Sequence, residues 1–194
     1  SLEAGFKYLI LSATASATML MGMALIYSNT GTLSFRQIGM AIVPMFQNGM
    51  IMPILVVGTA LMLFGIAFKL SAVPFHTWTS DVYQGAPAPV ATFLGSVSKV
   101  AMMALGLRFL LSTATLALPA INTLIVVIAS LSMIIGNILA LRQQNIKRLL
   151  AYSSIAHIGY VLAIVSAVKV ESAGFVSLYM AVYAFTTIGA FGVV

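Results

Sequence analysis

No cysteine occurs in the chain, which excludes disulfides, thiolate-held metals and cysteine-bound iron–sulfur clusters. Acids are almost as scarce: Asp and Glu together number 3, and charged residues make up 6% of the 194, against about 25% in a water-soluble domain. The two histidines, His76 and His157, stand far apart, and with so few carboxylates they make a poor metal site. Neither a G-x-G-x-x-G turn, a Walker loop nor an H-E-x-x-H pair is present, so the residues offer no nucleotide cradle and no hydrolytic metal centre. A basic region leading into a short apolar core and a cleavage site, the mark of a signal peptide, is also missing from the start.

Hydrocarbon fills the chain instead. Hydrophobic residues account for 61%, gathered into runs near the ~20 residues needed to cross ~30 Å of lipid. The expected fold is an all-α membrane protein, a polytopic transmembrane helix bundle in one domain over residues 1–194, with spans at 4–27, 50–70, 88–111, 118–141, 149–168 and 173–194. Residues 28–49, with Arg36, glycines and a proline, read as a loop. Ser1 opens the chain and F-G-V-V ends it inside an apolar run, which predicts a piece of a longer protein. The net charge of +6 is scattered apart from one cluster, L-R-Q-Q-N-I-K-R, so a membrane with its positive side inward explains it without nucleic acid. Counting crossings puts Lys7, Arg142, Lys147 and Arg148 on the expected cytoplasmic side, and Arg36, Lys169 and the end nearest Arg108 on the other.

The stretch from Gly65 to Lys99 interrupts this pattern. It carries Lys69, His76, Asp81 and Lys99 between flanks apolar enough for lipid. An ionisable side chain at membrane depth costs roughly 2.5–3.5 kcal/mol on insertion scales, and such groups mark ion pathways and proton relays. Pro74 lacks an amide proton and disfavours helix at Val73, yet the chain stays aromatic through Phe75, Trp78 and Tyr83. The pattern predicts one discontinuous helix that resumes as a half-helix over 75–83, a device of ion-coupled transporters. Lys69 falls within about 40° of Gly58, Met62 and Gly65 on a helical wheel, toward a neighbouring helix; a lysine snorkelling at the membrane boundary is the competing reading. Lys99 lies about 18 Å along its span from Pro87, near mid-membrane, in one sector with Ala91, Gly95, Met102 and Gly106.

Further along, Ser153, His157 and Tyr160 share a helix face, a histidine between two hydroxyls that reads either as a satisfied core group or as a relay. Tyr179, Tyr183, Thr186 and Thr187 form a hydroxyl stripe on the last helix, suited to ordering water or joining helices. Glu3 and Lys7 are spaced for an i,i+4 pair.

The segments F-K-L-S-A-V-P-F-H-T-W-T-S-D-V-Y-Q-G-A-P-A-P-V-A-T-F-L-G-S-V-S-K and N-I-K-R-L-L-A-Y-S-S-I-A-H-I-G-Y resemble the antiporter-like membrane subunits of respiratory complex I, and the likeness extends over the whole chain. Some members of that family have a second histidine where Val82 and Tyr83 stand here. The resemblance implies part of an inverted-repeat antiporter-like fold, with Lys69 and Lys99 on a proton path and His157 on the axis joining two half-channels. Glu3 and Lys7 match charged positions at the start of their helix, and His76 and Asp81 are expected to gate access near the break. Ser80 replaces a proline expected between Thr79 and Asp81, which predicts a less sharply bounded half-helix.

The function so implied is a proton-translocating membrane subunit of an NADH:quinone oxidoreductase in the bacterial inner membrane, an enzyme only through its complex. NADH, FMN, iron–sulfur clusters and quinone would be held on or between other subunits, with no cofactor and no redox site in this chain. Its partners would be the other membrane subunits, the lipid bilayer, ordered water and H+. A cation/proton antiporter subunit without electron transfer and a structural membrane scaffold are the alternatives.

Overall fold

The computed structural model describes residues 2–47, 52–113, 115–168 and 172–194, so that Lys169, Glu171 and the expected start of the second span at 50–51 lie outside the described residues. Nine α-helices follow one another in these residues: α1 (Leu2–Thr30), α2 (Phe35–Gln47), α3 (Pro53–Leu70), α4 (Thr77–Gly85), α5 (Ala88–Gly95), α6 (Val97–Ser112), α7 (Pro119–Leu141), α8 (Ile146–Val168) and α9 (Ser172–Gly192). Six stretches are long and apolar enough to cross a membrane: α1, α3, α5 with α6, α7, α8 and α9.

Sequence chemistry accounts for the helix ends. Prolines sit in the first turns of α3, α5 and α7, where the missing amide proton costs nothing. α1 stops at Gly31, whose φ of 67° is left-handed and whose amide bonds the Tyr27 carbonyl at 2.8 Å, a turn that glycine enters without a Cβ penalty.

Lipid tails are as apolar as leucine, so the helices associate by close packing rather than by escaping water. α1 runs along α3, and a Cβ placed on Gly22 would lie 2.6 Å from both the Gly58 carbonyl oxygen and the Met62 amide nitrogen. The α7–α8 pair repeats the device: a Cβ on Gly136 would meet the Ala156 amide nitrogen at 2.7 Å, and one on Gly159 the Met133 amide nitrogen at 2.8 Å. α8 also packs on α4 and α9, and α6 on α3 and α9, which makes α8 the spine of the bundle. A cavity of about 60 Å³ between α3, α6, α7 and α8 is lined only by apolar residues, among them Ile66, Met103, Ile128 and Leu162, so it offers no partner to an ion.

The structure departs from the sequence reading in three places. Residues 35–47, read as loop, form α2: Ile38 and Ile42 are buried, and Phe35 meets Phe109 edge-on at 5.4 Å. Phe35, Ile38, Ile42 and Met45 recur at helical spacing, a pattern obscured by Gly39 and Pro44. The half-helix is Thr77–Gly85 rather than 75–83. The span expected to be continuous over 88–111 is interrupted at Ser96, with φ −110° and ψ −81°. Thr92 and Ser96 turn their hydroxyls back onto the Ala88 and Thr92 carbonyls at 2.7 and 2.6 Å, the back-bonding that bends helices.

Because backbone and not a flexible side chain faces Gly22, Gly22→Leu should destabilise the protein by about 1–3 kcal/mol or more, as overpacking does. A thermal melt of the detergent-solubilised full-length protein, showing a lowered midpoint for this variant and none for Gly5→Leu, where a Cβ meets nothing within 4 Å, checks the packing.

Candidate functional site

The site begins where α3 ends. Ser71 takes a left-handed conformation, with φ 61° and ψ 31°. Its amide bonds the Phe68 carbonyl at 2.9 Å and that of Ala72 bonds Ala67 at 2.9 Å, so the last carbonyls of α3 are satisfied. A break at membrane depth frees further backbone groups, and each needs a partner. The Trp78 indole donates to the Phe68 carbonyl at 3.3 Å, and the Val73 amide donates to Ser132 Oγ of α7 at 3.0 Å. Trp78 is stacked on Phe68 at 5.4 Å and tilted against Tyr8 at 5.3 Å, closing the break on the α1 side. The Val73–Pro74 peptide is cis.

Lys69 lies in the last turn of α3, where a cation favours the helix dipole. Gly58, Met62 and Gly65 of its face are buried against α1 as expected, while Lys69 itself is only half-buried, its Nζ 5.9 Å from the centre of the Tyr8 ring. Lys99 is different. It is 0% exposed, and its Nζ donates to Ser154 Oγ of α8 at 2.8 Å; the Ser154 hydroxyl in turn donates to the Ala151 carbonyl at 2.8 Å. Among the described residues no carboxylate faces this amine. The small residues of its sector, Ala91, Gly95 and Gly106, are buried with it.

His157 is half-buried, and its Nδ1 shares a 2.6 Å hydrogen bond with the Tyr179 hydroxyl. The hydroxyls of the expected partners Ser153 and Tyr160 are not its hydrogen-bond partners among the described residues. Tyr160 meets the imidazole edge-on at 5.8 Å while its hydroxyl accepts a hydrogen bond from Asn137 at 3.0 Å, and the stripe on the last helix supplies the hydrogen bond instead, with the Tyr183 ring 5.4 Å from the imidazole. Between α8 and α9 opens a cleft of about 160 Å³ lined by Ser153, Ser154, His157, Tyr183, Thr186 and Thr187. It brings His157 and the Lys99 partner Ser154 to one wall.

The remaining charges gather at one end of the bundle. Lys7 bonds Glu3 at 2.7 Å and Asp81 at 3.0 Å; Arg148 reaches the other Asp81 oxygen at 3.0 Å and Gln84 at 3.0 Å. Asp81 thus ties α4 to both α1 and α8 instead of lying beside His76, which sits at the N-terminal edge of α4. Burial alone would push the Asp81 carboxyl up, but Lys7 and Arg148 outweigh it and hold it below its ordinary value. Ser80 does not fray the half-helix: it is buried, and the Tyr152 hydroxyl donates to it at 3.3 Å. Ser132, Ser154 and Tyr83 escaped the sequence reading; a buried serine leaves no periodic signal, and only the facing helix shows what it binds.

A six-span helical bundle with a broken helix, a fully buried amine and a histidine–tyrosine pair beside it defines an antiporter-like membrane protein. Residues 1–194 match the family described as NADH:quinone oxidoreductase/Mrp antiporter, TM, and the chain belongs to that family. NADH-quinone oxidoreductase subunit N of Psychrobacter arcticus is 59% identical over 194 residues, 100% of this chain and 39% of that protein. A chain of respiratory complex I from Thermus thermophilus with bound aureothin superposes with a TM-score of 0.77 at 37% identity, over 98% of this chain and 39% of that one. The Mrp complex from a Dietzia species gives a TM-score of 0.86 at 24% identity, over 98% and 34%, a likeness of fold alone. The chain therefore spans about two fifths of the length of the curated relative it matches. It is a multi-pass protein of a bacterial inner membrane.

With its carboxyl held low by two cations, Asp81 contributes stability above the ordinary carboxylate range, and that contribution disappears as pH falls through the depressed folded value. Asp81→Asn should cost about 0.5–2 kcal/mol at pH 7, two partly exposed pairs at roughly 0.2–1 kcal/mol each. Thermal melts of wild type and variant whose midpoints draw together as pH falls below the ordinary carboxylate range check this; a gap that does not narrow would assign the loss to packing.

Proposed function

We propose that this chain forms part of a proton-translocating membrane subunit of an NADH:quinone oxidoreductase, acting beside other membrane subunits while NADH, FMN, iron–sulfur clusters and quinone are handled elsewhere in the complex. The observation that carries this reading is Lys99, a fully buried amine with one neutral hydroxyl partner. The family match and the similarity to a protein named subunit N support it.

In this reading Lys99 is the central proton carrier. Ser154 and Ala151 supply a fixed dipole chain behind it, and the cleft at His157 and Tyr183 is the side from which water reaches it. His157, paired with Tyr179, hands the proton along the axis between α8 and α9. Lys69 stands across the helix break and exchanges with Lys99 through ordered water, held meanwhile over the Tyr8 ring. His76 at the break gates that exchange. Glu3, Lys7, Asp81 and Arg148 couple the position of α4 to α1 and α8, so that movement of the half-helix alters the field at both lysines. The energy scale is feasible. A pK unit is worth 1.36 kcal/mol and one charge moved through 100 mV about 2.3 kcal/mol, so a swing of roughly two units per lysine works against such a potential.

Lys99→Ala in the complete complex should lower proton uptake by inside-out vesicles about tenfold or more, with NADH oxidation slowed in step. Unchanged uptake together with unchanged quinone reduction would sink the assignment. A sodium- or potassium-driven pH change that persists when quinone reduction is inhibited would favour an antiporter subunit instead.

A further inference from the structure

We propose that Tyr83 is a positioning residue for Lys99: its buried hydroxyl, together with those of Ser154 and Tyr183, frames a polar chamber whose ordered water serves the amine in either protonation state. The inference rests on the reading of Lys99 as a proton carrier and adds a residue from the half-helix to it.

The phenol of Tyr83 is 0% exposed, and its hydroxyl has no hydrogen-bond partner among the described residues. A buried hydroxyl without a partner forfeits a hydrogen bond's full desolvation cost, so in a native protein it points to something it serves. Its surroundings show what that is. A Cβ on Gly95 would lie 3.2 Å from the Tyr83 hydroxyl oxygen and 3.4 Å from Thr187 Cγ2, and the Tyr183 hydroxyl donates to the Gly95 carbonyl at 2.8 Å. Gly95 is therefore a window between two tyrosine hydroxyls. Lys99 stands four residues further on, past the bend at Ser96, and its amine reaches Ser154, the same serine that neighbours both tyrosines. Ser154 is an electrostatic neighbour of both tyrosine hydroxyls, without making a hydrogen bond of good geometry to Tyr83.

An ammonium group offers three donors, of which Ser154 takes one. A water molecule held by Tyr83 accepts another, and buried water needs two to four such partners. When the amine is neutral, the same hydroxyl turns and donates. A carboxylate would serve only the cation, whereas a phenol, with an ordinary pKa near 10, stays neutral and serves both forms. Of the titratable groups on the elements around Lys99, His157 of α8 is near enough to feel its charge, Tyr83 of α4 and Tyr183 of α9 flank Gly95, Tyr152 of α8 faces Ser80 and Lys69 of α3 faces the Tyr8 ring. α5 carries none, and Arg36 of α2 lies at the far end with Arg108.

The test uses the full-length chain in the assembled complex, with proton uptake and NADH oxidation measured across pH in inside-out vesicles. Tyr83→Phe should assemble normally, lower proton uptake about fivefold, and move the alkaline limb of the activity profile about one pH unit lower, since the cationic form loses an acceptor. Gly95→Ala, which closes the window without removing a polar group, should shift the profile the same way. A merely structural tyrosine would change yield and leave the profile in place. Wild-type rate and profile in Tyr83→Phe, or an unmoved profile in Gly95→Ala, would overturn the role of Tyr83 if Lys99→Ala still abolishes uptake. If Lys99→Ala also pumps normally, the proton-carrier reading falls and this inference with it.

Discussion

A single hydrogen bond between helices, from the Lys99 amine to the Ser154 hydroxyl at 2.8 Å, sets the terms for the rest of the bundle. A cation with no carboxylate nearby is expensive in low dielectric, so everything that packs around it must either exclude water or supply polar partners in measured number. Small residues of α5 let α4 and α9 come close. Gly95 admits the two tyrosines, and α8 delivers Ser154 and His157 to neighbouring positions on one cleft wall.

The broken helix is the second half of the same arrangement. Interrupting a membrane span is tolerable only where protein satisfies the liberated backbone, and here the partners come from three elements: the Trp78 indole, the Ser132 hydroxyl of α7, and the left-handed turn at Ser71. Those bonds fix where α3 ends, and so fix Lys69 in its last turn beneath Tyr8. They also let α4 take its own angle, which carries Tyr83 toward Gly95 and Asp81 toward Lys7 and Arg148. One discontinuity thereby serves both the buried chamber and the charged end of the molecule. A continuous helix could not direct residues so close in sequence to partners on α1, α8 and α9 at once.

The two charged regions differ in kind. At the end of the bundle, cations and acids pair openly, in a cleft of about 550 Å³ reached by solvent, where each pair contributes little and the network acts mainly by holding α4 in register. In the interior one amine stands without an acid among the described residues, where small rearrangements have large electrostatic effects. Two cations at the charged end hold one carboxylate; in the interior one neutral hydroxyl holds the Lys99 amine. The difference separates a charged clasp from a buried amine held by a hydroxyl.

Composition and periodicity alone determined that this chain crosses a membrane several times, that Pro74 interrupts one crossing and that Lys99 shares a helix face with small residues, because hydropathy, proline geometry and helical spacing are local properties. The same local signals hid α2 behind a glycine and a proline, and they passed over the bend at Ser96, which depends on where two hydroxyls turn. Which hydroxyl meets Lys99, which tyrosine holds His157 and what Asp81 binds were decided only by tertiary structure. Each of these partners stands on a different helix from the group it serves, and helical spacing fixes the face a residue occupies but not the neighbour that face will find.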